Sequence, residues 1–408
     1  SPMSDAAQHS AFDTASAHAL YKARLAHVRA EMARQGVAAL LEVDPTQIFY
    51  ITGARNMTLV TVRMPSRYLL VFAEGPVILF EYRGCEHLAR ALPTISDIRT
   101  AEGLDFVSSG GRIAESSLRF AAAIRAAIDD HDPAIDRIAV GRFPFQATDA
   151  LRAQGLHLTD SGEVLSRARM IKLPQELPYM HEAVRRVAEG VARLEDRQRP
   201  DLSETEIWAE FHYDLMAKEG QYVVTRLLQG GPNTFPYFQE AGPRKLQPGE
   251  LLALDTDAIG FEGYACDFSR TFLCGEGKAS DAQKLLYGRA REQLETNAAL
   301  LAPGRSFREI AEKAWRIPDE HQASRYYVIG HGLGMAGEFP NIPHHTPGVP
   351  YPIDQVLQPN MVICLESYIG WERSQEGVKL EDQFLITETG VERMSTYRFD
   401  DRLQTRMV

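Results

Sequence analysis

The stretch LLALDTDAIGFEGYACDFSRTF, Leu251 to Phe272, decides how this chain is read. Asp255, Asp257 and Asp267 stand in a run that is otherwise apolar or small. Residues two apart in a strand share a face, so Asp255 and Asp257 are expected to project one way and Leu254 and Thr256 the other. GFEGY supplies turn residues, and Asp267 returns on the following strand.

Working outward, His331 lies among glycines in IGHGLG, Glu366 in the apolar pattern VICLESYI and Glu381 in VKLEDQFLIT. A buried carboxylate is costly unless it is paired or binds a metal. An oxygen-rich set with one imidazole suits hard to borderline divalent ions such as manganese, iron, cobalt or zinc. The acids are too many for one ion. They suit two ions bridged by carboxylates, an arrangement that activates water or clamps a substrate. Spacing alone leaves open that individual acids sit at exposed strand ends.

The 408 residues allow two or three domains, and 44% apolar with 24% charged residues is the profile of a soluble globular protein. No run of about 18 apolar residues occurs, which argues against a transmembrane helix. The N-terminal stretch shows no basic start followed by an apolar segment, which argues against a secretory signal. A net charge of -11 disfavours nucleic acid as a partner. Cys85, Cys266, Cys274 and Cys364 are scattered, with no close pair of metal-ligand spacing, which fits a reducing cytoplasm. His344 and His345 adjoin in a proline-rich loop and read as loop or pocket residues; His212 reads as structural.

Up to about residue 168 helix and strand patterns alternate. ALYKARLAHVRAEMARQG predicts a helix stopping at Gly36, and Glu74-Gly75-Pro76 predicts a hairpin turn. A long charged helix is expected from about Pro174 to Arg197. A second begins with a capping box, Ser203 and Glu206, and stops at Gly220. Strand patterns dominate after that. The expected organisation is an α/β domain over 1–168 and an α+β domain over 169–408 with mostly antiparallel strands.

The segments LLALDTDAIGFEGYACDFSRTFLCG, VIGHGLG, LQPNMVICLES and EGVKLEDQFLITETGVERMS resemble the pita-bread superfamily of creatinase, prolidase, aminopeptidase P and methionine aminopeptidase. The resemblance implies a pita-bread catalytic domain behind a smaller creatinase-type N-terminal domain. It also implies a dinuclear metal site. The peptidases of the family place an aspartate eleven residues before the second one; here that position is Thr256, and the acids fall ten and twelve before Asp267. Both peptidase histidines are missing, their regions reading NTFPYFQEAG and GMAGEFP.

Those departures are shared with the dimethylsulfoniopropionate lyases, the branch this chain resembles most. The branch implies six ligands, which fall on Asp255, Asp257, Asp267, His331, Glu366 and Glu381, and two divalent ions. Iron is the expected metal, with manganese, zinc and cobalt as alternatives. The lyases carry their base, an aspartate, six residues after the metal histidine, where this chain has Gly337. Glu338, one residue on, becomes the candidate base, turned by a shift of one. Tyr326 is a second candidate, for hydrogen bonding to substrate or for packing. The N-terminal stretch ARNMTLVTVRMPSRY offers Arg55, Val60 and Arg63 where the lyases use aromatic residues, which suits a carboxylate better than a sulfonium. Arg373 and Lys379 flank SQEG as weaker candidates. The function expected is cleavage of a small carboxylate-bearing or zwitterionic molecule by metal-assisted α-proton abstraction and elimination. The alternatives are a metal-dependent C–N hydrolase and a non-catalytic binding protein. A cytoplasmic homodimer is the implied form.

Overall fold

The computed structural model describes residues 12–353 and 355–404, which divide into two compact units between Arg169 and Met170. In the first unit, helix α1 (Thr14–Gln35) is capped by the Asp13 carboxylate and ends at Gly36, whose φ of 70° is the left-handed stop that glycine takes without strain. A six-stranded mixed sheet follows, in the order β4 (Asp97–Thr100), β3 (Val77–Glu81), β2 (Tyr68–Phe72), β1 (Ala39–Glu42), β5 (Arg137–Val140) and β6 (His157–Asp160). The expected hairpin joins β2 to β3. Helix α2 (Ile113–His131) lays Phe120, Ile124 and Ile128 against Tyr68, Leu70 and Phe72 of the sheet. Arg55 stacks over the Phe49 ring at 4.5 Å.

In the second unit, α3 (Leu177–Arg197) and α4 (Glu204–Ala217) pack together, and α4 opens with the capping box of Ser203 and Glu206. A small antiparallel sheet runs β11 (Tyr264–Cys266), β10 (Ala258–Phe261), β7 (Tyr222–Val223). The large antiparallel sheet runs β14 (Gly337–Pro343), β13 (Val328–Leu333), β15 (Val362–Trp371), β16 (Glu376–Ile386), β12 (Ser269–Leu273), β9 (Leu251–Asp255), β8 (Leu228–Gly230), with a short strand at Val391–Arg393 on β16. Helix α5 (Asp281–Ala298) covers β15 and β16. It buries Leu286, Ala290 and Leu294 with Leu365, Ile369, Val378 and Leu380. Each such leucine, isoleucine or valine side chain contributes about 1.5–3 kcal/mol on burial, and this layer backs the central strands.

The stretch read as one strand is in fact broken. β9 ends at Asp255, and Asp257 takes a left-handed φ of 36°, which an aspartate tolerates better than most residues. The break is held by Val224 N–H donating to the Asp257 carbonyl at 2.7 Å and by Phe268 N–H donating to Thr256 Oγ1 at 3.0 Å. Among the described residues no helix is long and apolar enough to cross a membrane.

Candidate metal centre

One face of the large sheet builds the centre. Direct cross-strand partners point the same way, and the register aligns Asp255 on β9, Ser269 on β12, Glu381 on β16 and Glu366 on β15 in one row. In the next row Cys364 on β15 lies between His331 on β13 and Gln383 on β16. In the row on the other side Lys379 pairs with Tyr368. The opposite face of β15 and β16 is the apolar one under α5.

Asp267 enters from the turn after β11, its N–H donating to Gln383 Oε1 at 3.2 Å. Asp257 joins it from the kink after β9, with its Oδ2 accepting from Thr225 Oγ1 at 2.6 Å. Asp255, Asp257 and Asp267 each offer an oxygen within 4.8 Å of the others, so they meet through the kink and not through strand alternation. A second group, with donor atoms equally close, is Asp267, His331, Cys364 and Glu381. Glu366 joins through His331, whose Nε2 lies 3.1 Å from its Oε1. All six side chains expected from the sequence are thus gathered in one cluster, with Asp257 and His331 partly exposed and the other four buried.

The histidine turns one ring nitrogen to the acids. Its Nδ1–H donates to the Gly332 carbonyl at 2.8 Å, which leaves Nε2 facing Glu366, Asp267 and Glu381. Burial opposes a charge on His331, but the hydrogen bonds to those three acids outweigh it and raise its pKa well above the ordinary value. Burial, and then the neighbouring carboxylates, raise Asp255 and Asp267 and lift Asp257 to about 7. Asp255 Oδ1 and Asp267 Oδ1 are buried with no hydrogen-bond partner among the described residues. Oxygens left so are what a cation satisfies, and the donor set of carboxylates, one imidazole and one thiol fits a divalent metal ion.

Sequence reasoning gave little weight to Lys379, which is fully buried at the centre. Its Nζ lies 2.5 Å from Glu366 Oε2, 2.9 Å from Ser269 Oγ and 3.3 Å from Glu381 Oε1. Burial works against its charge, and Glu366, Glu381 and Asp255 more than restore it. Tyr237, noted only as standing in a region without the peptidase histidine, donates from Oη to Asp255 Oδ2 at 2.9 Å. The signal for Lys379 and Cys364 was present: each is two residues before an expected ligand on a strand, and so shares its face. Arg373 stacks over Trp371, and His212 packs on Trp208.

A cavity of about 510 Å³ opens onto the cluster, walled by Phe238, Tyr326, Tyr327, Gly337 and Glu338. Tyr326 stacks on Phe238 with ring centres 5.4 Å apart, and His344 Nε2–H donates to its carbonyl at 2.7 Å. Burial, followed by Glu366 and Asp255, raises the Tyr326 phenol far above its ordinary value, so it remains a proton donor. Glu338 pairs across the strands with Gly332 while Gly337 pairs with Leu333, so a shift of one turns the acid away from His331. It meets Lys172 instead, with Nζ to Oε1 at 2.6 Å.

The description "metallopeptidase family M24" belongs to a family model that matches residues 178–388, and a creatinase/prolidase N-terminal domain model matches residues 24–171. The chain is 33% identical over 372 residues to dimethylsulfoniopropionate lyase DddP of Roseovarius nubinhibens, covering 90% of this chain and 83% of that protein. It is 23% identical over 377 residues to the probable dipeptidase PepE of Mycobacterium tuberculosis, covering 91% and 93%. Among solved structures, the prolidase of Thermococcus sibiricus matches with a TM-score of 0.75 and 20% identity over 93% of this chain and 98% of that one. The prolidase of Pyrococcus horikoshii matches with 0.73 and 19% over 92% and 99%. The fold is therefore the pita-bread catalytic fold with a creatinase-type N-terminal domain.

Proposed function

Because the chain belongs to metallopeptidase family M24, whose members are metalloenzymes, we propose that it cleaves a small zwitterionic substrate bearing a carboxylate, with two divalent ions held by Asp255, Asp257, Asp267, His331, Glu366 and Glu381. The observation that carries this is the convergence of those six side chains, of which Asp255, Asp257, Asp267 and His331 line the cavity. Bound there, the ions would supply Lewis-acid polarisation of a substrate carboxylate or carbonyl and an acidified water. Iron is the working choice of metal, and a cytoplasmic homodimer the working form.

The chain's own groups divide the remaining work. Tyr237 and Lys379 hold Asp255 and Glu366 in place. Tyr326 offers a protonated phenol to an oxygen of the substrate. The exposed rings of Phe238 and Tyr327 give an onium end an aromatic surface. In the elimination reading, supported by the likeness to a dimethylsulfoniopropionate lyase, a base takes the proton α to the carboxylate. The Cα–Cβ double bond then forms and the leaving group departs with its bond pair. Among the cavity-lining residues Glu338 is the acid that lies outside the ligand set, and it is assigned as that base.

One observation favours a second reading. Gly337 leaves the wall beside His331 without a side chain, and Lys172 holds Glu338 on the other side. Hydrolysis of a C–N bond needs no base for carbon. The test is turnover of small sulfonium and betaine carboxylates and of dipeptides by metal-loaded protein, followed by proton NMR, for wild type and Glu338→Gln. Elimination predicts an unsaturated acid as product and a loss of about 10²–10⁴-fold in kcat for the variant with KM little changed. Hydrolysis predicts free amino acids from dipeptides with no unsaturated product, and a variant close to wild type. Turnover of neither class would sink both.

A further inference from the structure

The two groups of donor atoms at the centre differ in kind. Asp255, Asp257 and Asp267 offer oxygen only, whereas the group sharing Asp267 offers the His331 nitrogen, a Glu381 oxygen and the Cys364 sulfur. Cys364 is placed there by construction. It sits two residues before Glu366 on β15 and so shares its face, directly opposite His331 in the register with β13. Its side chain is fully buried, and Sγ lies 3.6 Å from the Asp267 carbonyl oxygen. Cys364 is a free cysteine, so no disulfide claims the sulfur.

We infer that Cys364 is a sulfur donor to the metal position shared by Asp267, His331 and Glu381, so that the centre has one soft-leaning and one hard position. The inference rests on the reading of the cluster as a metal centre. Ligand softness then sets the loading. Thiolate and imidazole favour zinc, cobalt or iron(II), and a set of carboxylates alone favours manganese or magnesium. When the bond from Sγ forms, the thiol proton passes to solvent. Supplied with zinc and manganese together, the protein is expected to retain one of each per chain, zinc in the position that includes Cys364.

The test uses the full chain, stripped with a chelator and titrated anaerobically with cobalt(II) while its absorption spectrum is recorded. The expected result is a near-ultraviolet thiolate-to-cobalt band that saturates at one equivalent per chain. Cys364→Ser abolishes that band and weakens one equivalent of cobalt while the other still binds; Cys274→Ser keeps it. If Cys364→Ser does not fold, X-ray absorption of zinc-loaded wild type decides alone, and one sulfur neighbour at about 2.3 Å is expected. Cobalt bound by wild type without the band, or zinc with oxygen and nitrogen neighbours only, overturns the sulfur donor and leaves the metal centre standing. No metal taken up by folded wild type overturns both.

Discussion

Lys379 Nζ lies 2.5 Å from Glu366 Oε2, with both side chains out of contact with solvent. The ammonium supplies a positive charge to a cluster of five acids, and without metal it is the main cation there beside His331. Removing one partner of a buried ion pair costs about 3–5 kcal/mol, because the other charge is left uncompensated. Lys379→Met is therefore expected to lower the melting temperature of chelator-stripped protein by on the order of 10 °C. With manganese added, part of the missing charge is restored, and the deficit should shrink. Equal deficits with and without metal, by differential scanning calorimetry, would show that Lys379 matters for packing and not for charge.

Tyr237 touches the proposed ligand set at Asp255. Its phenol stays protonated, because burial, followed by Asp255, raises its pKa well above the ordinary value, and it donates to Asp255 Oδ2. Hydrogen bonds that orient a metal ligand are worth about 10–100-fold in metal affinity. Tyr237→Phe keeps the ring and its packing against Tyr326 and Tyr368. The expected outcome is a loss of that size in affinity, measured by competition with a chromophoric chelator, while the far-ultraviolet dichroism stays unchanged. An unaltered affinity would remove Tyr237 from the metal-holding set.

What could be read from the chain divides by range. The Gly36 stop, the Glu74-Gly75-Pro76 hairpin and the Ser203/Glu206 box were legible because neighbouring residues settle them. The gathering of six candidate ligands was legible because acids in apolar strand patterns need a reason, and the family resemblance supplied their order. The kink at Asp257 was not, because Val224 and Thr225 hold it from a distant strand connection. The Lys172–Glu338 pair joins residues far apart in sequence, so only the folded chain shows what the one-residue shift does to Glu338. Lys379 and Cys364 were within reach of the same alternation rule that grouped the aspartates; reading cysteines only for close pairs hid the second.

The N-terminal domain carries a separate acid whose titration is testable. Glu42 is 3% exposed, and its carboxylate accepts from Val43 N–H at 3.0 Å, Asp44 N–H at 3.1 Å and Ser161 Oγ at 2.8 Å. Burial outweighs these bonds and raises its pKa above the ordinary 4.5. A raised folded-state pKa means the ionised form is disfavoured by folding. The contribution to stability is therefore fully present below the unfolded value and is lost as pH rises through the folded one. Glu42→Gln is neutral throughout. Its melting temperature minus that of wild type should become more positive from about pH 4 to about pH 8. A flat difference, or one falling with pH, would show that the hydrogen bonds win over burial.

Two glycines of the His331 region should respond in opposite ways to the same change. A Cβ at Gly332 would lie 2.5 Å from the Phe339 carbonyl oxygen and 2.8 Å from that of Glu338, backbone atoms fixed by the β13–β14 pairing. Gly332→Ala is expected to cost about 1–3 kcal/mol or more, since neither strand can give without losing its register. A Cβ at Gly337 would meet nothing nearer than the His331 ring, at 3.8 Å and 3.9 Å. Gly337→Ala should be neutral, or stabilise by up to about 1 kcal/mol through the unfolded chain. The same room makes Gly337→Asp tolerable. It would set a carboxylate beside His331, facing the cavity, and in the elimination reading should raise turnover of onium carboxylates above wild type. Urea unfolding of the two alanine variants checks the first part, and turnover by the aspartate variant the second. An alanine at Gly337 as damaging as one at Gly332 would mean the wall there is closed to a side chain, and with it to a base from that position.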